Sequence, residues 1–283
     1  MIPTPVSTFV KDNAYGTIID MQTVGGGCIS NGQILTTQSG TTFFLKSNPN
    51  APSDMFTCES EGLAALRISN GPTIPQVYLH GHDFILLEDL APAPKINDYW
   101  PIFGRQLAIL HSKTNPMFGF NHDNYIGSTR QPNSWTKNGY AFFADYRLRF
   151  QAQLAQKRGL LGQKDVQNIE NILKRLENLV PPQPASIIHG DLWSGNAITD
   201  STGAPAIIDP ATHYGWAEAE LAMTTLFGSF PSDFFNAYEE IRPLNSNYFE
   251  RFPIYNLYHL LNHLNIFGRG YLGQVQSILR RFA

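Results

Sequence analysis

A chain of 283 residues is long enough for one large domain or two lobes, and with 42% hydrophobic and 15% charged residues it groups with folded proteins, not disordered ones. Its formal net charge of −3 leaves no basic footprint for nucleic acid or an anionic membrane, so a small neutral or mixed-charge substrate fits better. No apolar run approaches the ~20 residues of a membrane span, and the start MIPTPVSTFVKDNAYG lacks a signal-peptide pattern. Two cysteines, Cys28 and Cys58, are too few for a disulfide framework, so reduced thiols and a cytoplasmic location are expected.

The segments Thr17 to Thr23, Gly32 to Thr37 and Thr42 to Ser47 carry β-branched and aromatic residues between the turn clusters GGG and QSG. This predicts a small antiparallel sheet. In MFTCESEGLAALRIS, Phe56, Leu63 and Leu66 recur near helical spacing behind a Ser53 or Asp54 cap. A further strand, Phe84 to Leu87, runs into EDLAPAP, where Pro92 and Pro94 stiffen a connection. The lobe boundary is placed near Glu88 to Ala93, giving lobes of residues 1–90 and 91–283.

From Trp100 onward IFGRQLAILHS, YAFFADYRLRFQAQLAQ and KDVQNIENILKRLENL carry apolar residues at three- and four-residue steps, which predicts a mostly helical second lobe. The run SIIHGDLWSGNAITDSTGAPAIIDP breaks this pattern with two short apolar stretches divided by polar residues. It suits a loop and hairpin carrying a site.

Phosphoryl transfer needs a group to orient the nucleophile, oxygen ligands for magnesium, and a cation on the nucleotide phosphates. In HGDLWSGN, Asp191 and Asn196 lie five residues apart, the step between base and metal-binding asparagine in a kinase catalytic loop. Asp209 follows 18 residues after Asp191, at the end of AIIDP, where a strand can deliver a carboxylate to the metal; proline stands where kinases carry phenylalanine. A lone aspartate would more often cap a turn. The three together at this spacing point to a phosphotransferase.

Lys46, the only lysine between Lys11 and Lys95, ends the strand-like run TTFFLK and is the candidate phosphate cation. Its partner is Glu59 or Glu61; the register of Phe56, Leu63 and Leu66 does not decide between them. Gly25, Gly26 and Gly27 in VGGGCISNG permit backbone approach to phosphate. Cys28 beside them suggests a redox-sensitive thiol, while packing under the loop is an equal alternative.

The segments HGDLWSGN, APAIIDPATHYGWAEAELAMTTLFGSFP and YNLYHLLNHLNIFG, together with GGGCIS, FFLK and FGFNHDNYIGSTRQPN, resemble the fructosamine kinase family over roughly residues 14–272. The resemblance implies a protein-kinase-like α+β fold with a small antiparallel N-terminal lobe and a larger helical C-terminal lobe. It implies ATP-dependent phosphorylation of the 3-hydroxyl of a ketosamine, free or carried on a glycated protein lysine; the sequence leaves open whether the chain is a monomer or homodimer. Carried onto matching positions, Asp191 is the base, Asn196 and Asp209 bind magnesium, and Lys46 pairs with Glu59. Glu88, Asp89 and Leu90 form the adenine hinge. Trp193 is either a platform for the sugar or a core residue, and His213 and Glu218 are candidates for substrate or structural contacts, to which spacing alone assigns no role.

His259 and His263 stand four apart on an apparent helix, a spacing able to bind metal, but without a third ligand they read as partly buried histidines hydrogen-bonding along the helix, with a place near the substrate pocket as the alternative. Two rivals remain at this stage: a kinase for another hydroxylated metabolite, such as an aminoglycoside or choline, and a nucleotide-binding pseudokinase.

Overall fold

The computed structural model describes residues 2–25 and 31–283. Gly26, Gly27 and Cys28 lie outside the described residues, and with them most of the expected phosphate loop and the thiol switch.

The chain opens with helix α1 (Thr4–Asp12), followed by strands β1 (Ile18–Val24), β2 (Asn31–Thr37) and β3 (Thr42–Ser47). Helix α2 (Met55–Leu66) and strands β4 (Val77–His80) and β5 (Phe84–Glu88) complete an antiparallel five-stranded sheet of order β1-β2-β3-β5-β4. The three strands expected first end within one residue of their predicted limits. Two elements were not foreseen, α1 and β4. Nine residues starting beside Pro3 and Pro5 give too short a periodic run to identify α1; tertiary packing makes the helix.

Alternation along β3 explains the sheet's two cores. Phe43 and Leu45 point to one face, where Leu35, Phe84 and Leu86 join Val6 and Val10 of α1, all buried. Each such side chain contributes about 1.5–3 kcal/mol when fully buried. Phe44 and Lys46 point to the other face, with Ile85 and Leu87, whose cluster includes Phe56, Leu63 and Leu66 of α2. Period two thus turns Lys46 toward α2 and the second lobe.

The second lobe begins with α3 (Tyr99–His111), then short strands β6 (Thr114–Asn115), β7 (Asn124–Ile126) and β8 (Thr129–Gln131). Helices α4 (Gly139–Phe142) and α5 (Phe150–Lys157) flank a π-helical turn, Phe143–Arg149, where the pattern predicted one continuous α-helix. This wider turn carries the buried Arg147, whose guanidinium donates at 2.7 Å to both the Pro132 carbonyl and Asn133 Oδ1 and so fixes the segment after β8. Helices α6 (Gln163–Lys174) and α7 (Leu176–Leu179) precede β9 (Ala185–Ile188), β10 (Ala197–Thr199), β11 (Pro205–Ile207) and β12 (His213–Gly215). The chain closes with α8 (Ala217–Met223), α9 (Ser232–Ile241), α10 (Tyr248–Phe267) and α11 (Leu272–Phe282). No helix among the described residues is long and apolar enough to cross a membrane.

Helix α10 runs through the middle of the helical core, with Leu257, Leu260, Leu261 and Leu264 buried. It also buries Asn256, His259, Asn262 and Asn265, polar residues at three-residue steps that form one stripe. Three amides of the stripe are bonded, Asn256 to the Ala222 carbonyl, Asn262 to Gln151, and Asn265 to the Gln151 carbonyl. The linker after β5 is pinned to the β10–β11 hairpin: Thr199 Oγ1 donates to the Ala93 carbonyl at 2.6 Å and Ile96 N to that of Gly203 at 3.2 Å. Thr73 adds a second tie, its N–H bonding the Pro205 carbonyl and its carbonyl the Ile207 N–H. The hairpin is therefore held against the first lobe.

Candidate active site

Lys46, Glu59, Asp191, Trp193, Asn196 and Asp209 line one cleft of about 190 Å³, with Asn124 and Gly127 on another wall and His263, Ile266 and Phe267 of α10 at its edge. The residues picked out by spacing in two distant segments are thus brought together.

Lys46 Nζ lies 3.0 Å from Glu59 and 2.9 Å from Asp209, so α2 and the segment after β11 converge on one ammonium. Burial opposes the charge on Lys46, but Asp209 and Glu59 outweigh it and hold its pKa above the ordinary lysine value. The choice between Glu59 and Glu61 is resolved by geometry, because Glu61 pairs with His122. Asp54 occupies the N-cap position of α2 without capping it; its carboxylate accepts from the Tyr125 hydroxyl at 2.6 Å.

The loop after β9 is held from behind by a group that sequence reasoning missed. Glu220 of α8 accepts from the backbone N–H of His189 at 2.9 Å and of Gly190 at 2.6 Å, and lies 3.0 Å from His111 Nε2. His111 Nδ1 in turn meets the Tyr238 hydroxyl at 2.8 Å. Burial pushes the Glu220 carboxyl up, but these donors prevail and hold it below the usual carboxylate range. The available signal was a glutamate inside the apolar run AEAELAM; nothing local says that it faces backbone amides.

Gly190 has φ +83°, and a Cβ there would overlap the Ala211 carbonyl, so the turn needs glycine. His189 fastens this turn to the segment before Asp209: Nε2 donates to the Ile208 carbonyl at 2.8 Å, and Nδ1 accepts from Asp191 N at 3.3 Å. That pattern describes the neutral ring, in keeping with a pKa lowered by burial. Asp209 itself has φ +57°, a left-handed backbone uncommon for residues other than glycine, though aspartate and asparagine adopt it more readily than most.

Asn196 Nδ2 donates to the Asp191 carbonyl at 2.8 Å and approaches Asp191 Oδ2 at 3.5 Å. With the amide nitrogen so engaged, the amide oxygen and the Asp209 carboxylate are hard oxygen donors of the kind magnesium takes together with nucleotide phosphates. Their chemistry fits the ion. Asp191 has its pKa raised well above the ordinary aspartate value, by burial first and then by the nearby charges of Asp209 and Glu220. Such a carboxylate is a better proton acceptor.

Trp193 is half-buried, lines the cleft, and meets Phe227 edge-on at 6.2 Å; it is not a core tryptophan. His263 lies beside it, its ring 4.5 Å from that of Phe227 and its Nδ1 donating to the His259 carbonyl. Two expected substrate contacts are not brought to the cleft. Glu218 is a buried partner of Arg251, with both contacts at 2.7 Å, and of the Tyr255 hydroxyl at 2.8 Å. His213 bonds the Ala211 carbonyl at 3.0 Å and lines a separate small cavity behind the Asp191 loop. Of the three residues expected to form the hinge, Glu88 ends β5 and Asp89 and Leu90 follow it, all outside this cleft lining; Glu88 exchanges bonds with the backbone of Gln76.

Residues 5–283 match the model of the fructosamine kinase family. A probable ketoamine kinase of Synechocystis sp. is 39% identical, covering 99% of this chain and 97% of its own. A chloroplastic protein-ribulosamine 3-kinase of Oryza sativa subsp. indica is 37% identical, covering 97% and 82%. A crystal structure from Thermobifida fusca, assigned to the fructosamine-3-kinases, superposes with a TM-score of 0.89 at 30% identity over 97% of each chain. The choline kinase LicA of Streptococcus pneumoniae shares the fold alone, with a TM-score of 0.68 at 12% identity over 98% of each chain. Matched over nearly its whole length and built on this kinase-like α+β frame, the chain belongs to the fructosamine kinase family.

Proposed function

We propose that this chain phosphorylates the 3-hydroxyl of a ketosamine with ATP, with Asp191 as base, Lys46 on the nucleotide phosphates, and Asn196 and Asp209 holding magnesium. The observation that carries the assignment is the convergence of Lys46, Asp209, Asn196 and Asp191 on one cleft, with Lys46 2.9 Å from Asp209. A pseudokinase has no need of that complete set.

The acceptor oxygen bonds to the γ-phosphorus as the bond to the ADP oxygen breaks, and the hydroxyl proton passes to the Asp191 carboxylate. Lys46 neutralises charge on the phosphates and is itself held in place by Glu59. Magnesium, when bound, supplies further neutralisation of the phosphate oxygens. Trp193 offers an apolar face for sugar C–H groups, and Glu88 to Leu90 supply backbone groups for adenine in the lobe of residues 1–90. A cytoplasmic location belongs to the same proposal; the unpaired, buried Cys58 supports a reducing compartment.

The test is magnesium-dependent transfer from ATP to synthetic fructosamines, ribulosamines and erythrulosamines, with choline and an aminoglycoside as controls, and product position read by NMR. Phosphate on the third carbon of a ketosamine is expected. Transfer only to a control overturns the substrate, and ATP binding without transfer to any acceptor overturns the enzyme.

A further inference from the structure

One buried group beside the proposed base has no work in the mechanism above. His259 is 5% exposed and its Nδ1 has no hydrogen-bond partner, an unusual state for a buried polar atom. That atom faces Asp191 Oδ1 at 3.9 Å, too far for a hydrogen bond and too near to ignore. The ring also lines a small cavity of about 30 Å³ together with Gly190, His213 and Tyr258. The backbone carbonyl of His259 is fixed by His263, which ties the position to the cleft-edge residue one turn on.

We propose that His259 is a positioning residue for the Asp191 base: on acceptor binding its Nδ1–H closes on Asp191 Oδ1 and holds the carboxylate toward the sugar hydroxyl. The proposal rests on the reading of Asp191 as the base. A neutral imidazole is the form required, and burial, with His263 and Arg147 adding to it, lowers the His259 pKa to about 3, so the ring donates without carrying charge. Asn196 already bonds the Asp191 carbonyl and stands 3.5 Å from Oδ2; His259 supplies the missing restraint on the other oxygen. Misplacing a reacting group by an ångström costs about 10²-fold in rate, which sets the scale of the effect.

The experiment measures kcat, the KM for ketosamine and for ATP, and the unfolding midpoint for the parent, His259→Leu and His259→Asn. Asparagine places its amide N–H near the Nδ1 position, whereas leucine fills space without a donor. His259→Leu is expected to lower kcat by ~10- to 100-fold with the KM for ATP little changed, and His259→Asn to recover most of the loss. Equal losses in both variants, or unchanged kcat in His259→Leu, overturn the proposal. If His259→Leu does not fold, His259→Asn decides: near-parental kcat supports the assignment and a loss of ~10-fold or more contradicts it. Repeating the pair in Asp191→Asn separates the two readings. High activity of Asp191→Asn alone refutes the base, while a further loss on adding His259→Leu refutes the coupling of His259 to Asp191.

Discussion

The carboxylate of Glu220 and the amide N–H of Gly190 lie 2.6 Å apart, and this bond, from a helix 30 residues downstream, shapes the turn that presents Asp191. The same carboxylate binds His189 N and His111, so three donors depend on one acidic group in a site closed to water. Glu220→Gln keeps the size but puts an NH2 group against N–H donors. Leaving such donors unpaired costs about 1–3 kcal/mol. The expected result is a lower midpoint in denaturant and a kcat loss greater than the change in KM for ATP. The pH dependence follows in sign: a carboxyl whose folded pKa lies below its unfolded value, about 4.3 for glutamate, stabilises the fold above that value and stops doing so as pH falls through the folded pKa. The stability gap between parent and Glu220→Gln should therefore be full at neutral pH and close on acidification.

Lys46 provides the second prediction. Lys46→Met removes the cation from between Glu59 and Asp209 and should lower phosphate transfer by ~10²–10³, the usual cost of losing one electrostatic donor in a transition state. Burial already raises the Glu59 pKa, so without Lys46 this carboxyl takes up a proton instead of remaining as a buried anion. Adding Glu59→Gln to Lys46→Met is accordingly expected to restore or preserve the thermal midpoint while activity stays lost. Calorimetry beside a transfer assay checks both halves.

Much of this site was legible in the residues because its parts are local. Asp191 and Asn196 share one loop, Asp209 ends the next apolar run, and Lys46 is the one lysine on a strand whose alternation sets its face. What stayed hidden depends on contacts across the fold. Glu220 and His111 meet from α8 and α3, 109 positions apart, and neither helix's pattern marks the pairing. Glu218 shows the reverse: the family resemblance left a substrate or a structural contact open, and Arg251 of α10 makes it structural. Helix α1 escaped because its stability comes from the sheet face it covers and not from its own nine residues.

The central claim, that Asp191 accepts the acceptor's proton in an otherwise intact ATP site, is tested most directly by single-turnover phosphate transfer to a ketosamine in Asp191→Asn, with ATP affinity measured in parallel. Nucleotide binding within a few-fold of the parent, together with transfer slowed by ~10²–10⁴, is the expected result. Transfer at the parental rate in that variant would contradict the account.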